Sequence, residues 1–244
     1  PMRDIDVLVS PARARQAQAV LAQLGFDAPL SGPNLPAKHL PVARRQVEGL
    51  TVSLEIHHNL YSHGNAATGL DALRPAVIPL EIEGERAYTL EPAALLNHTY
   101  RHLRLNLLRN SLRLIWLADM AGLAERFAAA INWPQVEPAA RGALAVSHWL
   151  IPLSPTAREA AGLEIGRPPR DFGREFAGWP RLPLAAQRHK SYPALLRDSL
   201  LPPDWWLRLY YGAGSGRALV WHRWLVHPAN IAKMALQTIT TPPR

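Results

Sequence analysis

The chain has 244 residues, of which 48% are hydrophobic and 19% are charged, so it can bury a sizeable core and is not a wholly disordered protein. No run of residues approaches the roughly 18 apolar positions of a membrane-spanning helix, and no signal peptide opens the sequence, so we expect a cytoplasmic protein. Because the chain has no cysteine, disulfides, thiolate nucleophiles and cysteine-bound metals are excluded.

The positive charge is concentrated in the C-terminal part. Residues 1–90 contain 8 Lys and Arg against 9 Asp and Glu, whereas residues 91–244 contain 19 against 10. The net charge is therefore −1 in the first stretch and +9 in the second. A basic surface favours anionic partners, although it is as typical of a solvated surface. We find no motif that reads nucleic acid, so we expect no specific binding to it.

The chain opens with a strand followed by a helix. Residues 5–9 form a β-branched run, Ser10-Pro11 is a typical helix start, and Gly25 is a typical helix end. Apolar residues recur between them at helical spacing, namely Ala14, Ala17, Val20, Leu21 and Leu24.

A hairpin and then a series of helices follow. Residues 42–47 and 51–57 predict two strands, with Glu48-Gly49 as the turn between them. In the less regular stretch that follows, only residues 77–82 indicate a further strand. From Leu90 onward the spacing is helical, and helices are predicted at residues 91–108, 112–127, 138–150, 192–201 and 204–211. We therefore predict an α+β fold, with a small mixed-sheet module at residues 1–88 and a mainly α-helical module at residues 89–244.

Carboxylates form the sharpest local pattern. Asp4 and Asp6 stand two residues apart at the start of the first strand, and because successive side chains of a strand point to opposite faces, both carboxylates share one face. Residues 51–57 alternate in the same way, and Glu55 lies on their polar face with His57. If the apolar faces of both strands bury against the same helix, Asp4, Asp6 and Glu55 converge on the opposite side of one sheet.

Such a cluster predicts a metal site. Neighbouring carboxylates repel unless they bind cations, and their hard oxygen atoms favour Mg²⁺ or Mn²⁺, completed by substrate phosphates. Two such ions about 3.5–4 Å apart can activate an attacking hydroxyl and stabilise a departing pyrophosphate oxygen. An Asp-x-Asp alone is common by chance and typical of a solvated strand start. The order of strand, capped helix and Glu-bearing strand strengthens the metal hypothesis.

The same residues resemble a known family. RDIDVLV at residues 3–9, the helix end at Leu24-Gly25-Phe26 and LEIHH at residues 54–58 are similar to the nucleotidyltransferase superfamily related to DNA polymerase β. More narrowly, they resemble its family of uncharacterised bacterial nucleotidyltransferases. The likeness continues more loosely through residues 95–103 and 114–123.

The resemblance implies a role for each carboxylate. Asp4 and Asp6 would carry two Mg²⁺ or Mn²⁺ ions, and Glu55 would ligate one of them and help to activate the acceptor hydroxyl. The implied activity is transfer of a nucleoside monophosphate from an NTP to a hydroxyl or phosphate of a small-molecule or peptide acceptor, with release of pyrophosphate. Residues 1–88 would form the nucleotidyltransferase module.

One part of the family pattern is absent from the sequence. The superfamily places a Gly-Ser turn and a short helix before the Asp-x-Asp, where they cradle the triphosphate, but this chain begins three residues before Asp4. We expect an N-terminal part to be missing from the sequence. The alternative is a scaffold that has lost nucleotide binding and serves as a nucleic-acid- or protein-binding module.

Other polar residues are candidates for the nucleotide. We expect Arg3, Arg101 and His102 to bind it, because guanidinium forks match phosphate oxygens and the helix that carries Arg101 and His102 directly follows the first module. A solvated basic helix face is the alternative for Arg101. His98 and His102 share a helical face, but the residues between them lack the glutamate of a His-Glu-x-x-His metalloprotease.

Three histidines near the end of the second hairpin strand could form a zinc site. His57, His58 and His63 could hold zinc, but their spacing matches no compact ligand motif, and a strand-end hydrogen-bonding role is favoured.

The tryptophans after residue 178 stand among arginines and could form a peripheral membrane contact or a partner groove, whereas core packing is favoured. They are Trp179, Trp205, Trp206, Trp221 and Trp224.

Overall fold

In the computed structural model, the chain divides into two units, Pro1–Leu90 and Glu91–Arg244. The structure describes residues 4–29, 35, 38–60, 69–108, 112–168, 172, 193, 197, 199–214 and 216–240. The fold is α+β, as predicted, because the strands lie in the first unit and the second is helical. None of the described helices combines the length and apolar character needed to cross a membrane.

The first unit contains a mixed sheet and a separate hairpin. The elements that the structure describes there are β1 (Ile5–Leu8), a 3-10 turn (Pro11–Arg13), α1 (Ala14–Gln23), β2 (Ala43–Val47), β3 (Leu50–His57), α2 (Leu70–Leu73), a second 3-10 turn (Arg74–Ala76), β4 (Val77–Ile82) and β5 (Glu85–Leu90). The sheet has the order β1-β3-β2, with β1 parallel and β2 antiparallel to β3. The strands β4 and β5 pair only with each other in the described chain.

Both hairpins turn at a Glu-Gly pair with left-handed backbone. Glu48 and Gly49 have φ of 50° and 81°, and Glu83 and Gly84 have φ of 50° and 80°. Two successive positive φ angles define the turn whose twist matches that of the flanking strands. The predicted hairpin at Glu48-Gly49 is therefore confirmed. The strand β5 was missed, although the same dipeptide precedes it.

The helix α1 packs over β2 and β3 through a narrow apolar face. Ala14 and Leu21 lie in the core of the first unit. Val20 and Leu24, which recur at the same helical spacing, are 44% and 55% exposed. The predicted helix is confirmed, and its burial is confined to one side.

Gln18 takes the buried position that the apolar pattern did not foresee. Its side chain is fully buried, and its Nε2 donates hydrogen bonds to the carbonyl oxygens of Pro29 at 3.2 Å and Pro41 at 2.9 Å. A buried amide is tolerated where it finds hydrogen-bond partners. Gln18 therefore joins α1 to the proline-rich segment between α1 and β2.

The second unit is built from helices. Its elements among the described residues are α3 (Pro92–Leu108), α4 (Leu114–Phe127), a 3-10 turn (Trp133–Gln135), α5 (Pro138–Leu150), α6 (Pro155–Ala160), α7 (Asp204–Tyr211), α8 (Arg217–Trp221), a π-helical turn (His222–Val226) and α9 (His227–Thr240). Its core lies where α5 packs against α3, α4 and α7. The bounds of α5 and α7 equal the predicted ones, whereas α8 and α9 were not predicted. The predicted helix at 192–201 lies largely outside the described residues.

Candidate metal centre

Strand pairing in the first unit brings two carboxylates side by side. Asp6 of β1 is the register partner of Glu55 in the parallel strand β3. Because side chains alternate along a strand, Asp6 and Glu55 point to one face of the sheet. Leu54 and Ile56 point to the other face, where they pack with the core residues of α1. The apolar side of β3 thus orients the acidic side.

A buried histidine completes the group. His57 follows Glu55 by two residues on the same face of β3, and its ring is only 3% exposed. Its Nε2 lies 3.2 Å from Asp6 Oδ1 and 3.3 Å from Glu55 Oε2. Its Nδ1 is buried with no hydrogen-bond partner among the described residues. The polar contacts of the ring are therefore directed at the two carboxylates.

His39 lies beside this group. Its ring centroid is 5.1 Å from that of His57, and the two residues form an isolated antiparallel bridge. Its Nδ1 lies 3.8 Å from Glu55 Oε2 and donates a hydrogen bond to the Leu40 carbonyl oxygen at 2.9 Å. His39 therefore helps to enclose His57 and Glu55.

The donor set fits a divalent ion. One ligand atom from each of Asp6, Glu55 and His57 lies within 4.8 Å of the others. The side chain of Asp6 is 48% exposed, whereas that of Glu55 is 17% exposed. The group is thus enclosed on the His57 side and open on the Asp6 side, where water or a substrate oxygen can complete the coordination of an ion.

Residues 1–147 match a protein family described as uncharacterised nucleotidyltransferase. The chain belongs to this family. The matched range contains the first unit and, in the second unit, α3, α4 and most of α5. The searches of curated proteins and of solved structures gave no match.

Asp4 is placed differently from the other carboxylates of this nucleotidyltransferase. It stands just before β1, is exposed, and within the described chain is not part of the group that Asp6 and Glu55 form with His57. The structure thus brings together two of the three predicted carboxylates. The strand alternation already placed His57 on the face of Glu55, and that pattern was the signal for its inclusion.

Of the three residues predicted to bind the nucleotide, two contact other side chains of the second unit and one lies outside the described residues. Arg101 donates a hydrogen bond from Nε to Glu137 Oε1 at 2.6 Å, and the His102 ring stacks on Trp116 with centroids 5.9 Å apart. Arg3 lies outside the described residues, as does His63. The assignment of Arg3, Arg101 and His102 to the nucleotide stays a prediction.

The C-terminal tryptophans of the nucleotidyltransferase divide into two groups. Trp205 is buried in the core of the second unit, and Trp206 packs partly against it. Trp221 and Trp224 are each 59% exposed, so core packing does not account for them. Trp179 lies outside the described residues. A membrane or partner contact stays an alternative for these two exposed tryptophans.

Proposed function

We propose that this chain is a divalent-metal-dependent nucleotidyltransferase. It transfers a nucleoside monophosphate from an NTP to a hydroxyl or phosphate group of a small-molecule or peptide acceptor and releases pyrophosphate. The observation that carries the proposal is the pairing of Asp6 with Glu55 on neighbouring parallel strands in a chain that belongs to a nucleotidyltransferase family.

Asp6 and Glu55 are the residues that would hold Mg²⁺ or Mn²⁺. Asp4, exposed at the start of β1, would add a third carboxylate from the open side of the group. When bound, a divalent ion supplies positive charge at the phosphates and lowers the pKa of a hydroxyl that it binds. The carboxylates would therefore determine where the positive charge of the ion lies relative to the phosphates.

The chain's own residues have separate tasks in this reaction. The acceptor oxygen forms a bond to the α-phosphorus, the bond between that phosphorus and its bridging oxygen breaks, and the electron pair leaves with pyrophosphate. Glu55 is assigned to receive the acceptor proton at a carboxylate oxygen, because it is less exposed than Asp6 and lies beside it. Asp6, on the open side, would hold the ion where the phosphates of a bound NTP can reach it.

The test is pyrophosphate release by protein expressed from its complete reading frame. The four common NTPs are supplied with Mg²⁺ or Mn²⁺ and with pools of hydroxyl- and phosphate-bearing acceptors, and the adduct is identified by mass spectrometry. We expect release with at least one NTP, and we expect Glu55→Gln to reduce it by about 100-fold or more, as loss of a general base does.

Glu81→Gln is the matched control, because Glu81 is an exposed carboxylate of β4 in the same unit. It should leave pyrophosphate release unchanged. Failure of every NTP to react, or equal activity of the Glu55→Gln and Glu81→Gln proteins, would contradict the proposed function and favour the binding-module alternative.

A further inference from the structure

We infer that His57 is a metal ligand, and that it makes this centre prefer Mn²⁺ and similar first-row transition ions over Mg²⁺. The inference rests on the proposed function, because it uses the same Asp6–Glu55 pair. It goes further in assigning a role to an imidazole that the carboxylate mechanism does not require. It also predicts a metal preference that two carboxylates alone would not produce.

The His57 Nε2 atom lies where a metal ligand would lie. Its distances of 3.2 Å to Asp6 and 3.3 Å to Glu55 are those of long hydrogen bonds. They are also close to the roughly 3 Å that separates adjacent ligands of an octahedral ion bound at about 2.1 Å. One ion can therefore replace these hydrogen bonds with little movement of the three side chains.

The His57 ring is held in place by its burial. His57 is 3% exposed, and the polar atom that it directs toward the carboxylates is Nε2. The neighbouring ring of His39 lies 5.1 Å from it, centroid to centroid, and leaves little room for the ring to turn. A ligand held by its surroundings loses little conformational freedom when it binds an ion. His57 is thus preorganised, whereas Asp6 is more exposed.

The donor atoms of the site determine which ion it prefers. Mg²⁺ prefers oxygen ligands and keeps several of its waters, so two carboxylates are sufficient for it. Imidazole nitrogen suits transition ions, and the affinity of mixed nitrogen and oxygen sites rises along the first row from Mn²⁺. A site with two carboxylates and one imidazole should therefore bind Mn²⁺ more tightly than Mg²⁺.

The test compares metal binding by the full chain and two variants. His57→Gln replaces the imidazole with an amide of similar reach and leaves an oxygen-only ligand set. Calorimetry should show Mn²⁺ affinity falling by at least about tenfold, the lower limit for loss of even outer partners of metal ligands. Mg²⁺ affinity should change much less. His58→Gln is the matched control, because His58 is adjacent in sequence but outside the ligand group of the described residues, and it should change neither affinity.

A spectroscopic measurement keeps the inference falsifiable if His57→Gln does not fold. Pulsed electron paramagnetic resonance of the wild-type protein with Mn²⁺ should show coupling to a directly bound imidazole nitrogen. The coupling should persist in His58→Gln and disappear in His57→Gln. No nitrogen coupling, or an unchanged ratio of Mn²⁺ to Mg²⁺ affinity in folded His57→Gln, would overturn the inference.

These outcomes separate the inference from the proposed function. If Mn²⁺ binding depends on Asp6 but shows no nitrogen coupling, His57 is not a ligand and the carboxylate site stands. If wild-type protein binds no Mn²⁺, or Asp6→Asn binds it as well as wild type, the metal centre itself fails and both proposals fall.

Discussion

Gly142 of α5 and Gly212 at the end of α7 lie so close that a Cβ on Gly142 would be 2.7 Å from the Cα of Gly212. A Cβ on Gly212 would in turn lie 2.2 Å from the Cα of Ala139. Backbone atoms at these distances cannot move aside as a flexible side chain can. The two helices therefore meet backbone to backbone at this point.

We predict that Gly142→Ala and Gly212→Ala both lower the free energy of unfolding by about 1–3 kcal/mol, the usual cost of overpacking. The loss should be larger for Gly212→Ala, because Gly212 also has a φ of 67°, which alanine rarely adopts. Urea denaturation measures both losses. Gly214→Ala is the control, since no described atom lies within 4 Å of a Cβ placed there. Equal stability of all three variants would contradict the prediction.

Substitution of Asp6 separates metal binding from stability. Asp6→Asn should weaken Mn²⁺ binding sharply in calorimetry, because the site loses one of its charged ligands. The metal-free protein should not lose stability, because removing one of two neighbouring like charges relieves repulsion. Chemical denaturation in the presence of a chelator checks this. A loss of more than about 1 kcal/mol would show that Asp6 stabilises the sheet itself, since exposed positions usually change stability by less than about 0.5 kcal/mol.

His148 should make stability depend on pH. The Leu153 N–H donates to His148 Nδ1 at 2.9 Å, so this nitrogen must keep its lone pair. Burial, and then the charge of Arg158, lower the pKa of His148 below its ordinary value of 6.5. The folded chain thus favours the neutral ring. Its contribution to stability is complete above pH 6.5 and is lost as the pH falls through the lowered pKa.

Unfolding free energies of the wild-type and His148→Gln proteins, measured from pH 8 down to pH 5, test this prediction. The difference between the two proteins should shrink as the pH falls, because only the wild-type protein must protonate a group that the fold holds neutral. Parallel pH profiles would show that His148 titrates alike in the folded and unfolded chains.

The basic second unit should bind nucleic acid only weakly. Its charge of +9 over residues 91–244 provides phosphate contacts, but the sequence has no base-reading motif. Fluorescence anisotropy should therefore show similar affinities for unrelated oligonucleotides, with a steep loss of affinity as salt rises. Submicromolar, sequence-selective binding at physiological salt would instead support the binding-module alternative.

Local sequence signals were sufficient for several elements of the fold. The β-branched run of β1 and the Glu48-Gly49 turn predicted the first strand and hairpin, because strand propensity and turn geometry depend on near neighbours. The proline start and helical spacing of α5 predicted Pro138–Leu150 in full. The same reasoning applied to Glu83-Gly84 would have found β5, so that error came from an overlooked signal rather than a missing one.

The sequence by itself determined which side chains share a face, but the tertiary structure decided which faces meet. Alternation placed Glu55 and His57 together on β3, and only the parallel pairing of β1 with β3 brought them to Asp6, which is 51 residues from His57 along the chain. The burial of His57, like that of Gln18 in α1, depends on segments distant in sequence that pack against it. Periodicity reports only the local direction of a side chain, whereas burial and hydrogen-bond partners depend on long-range packing. The contact of His57 with Asp6 was therefore decided only by the folded chain.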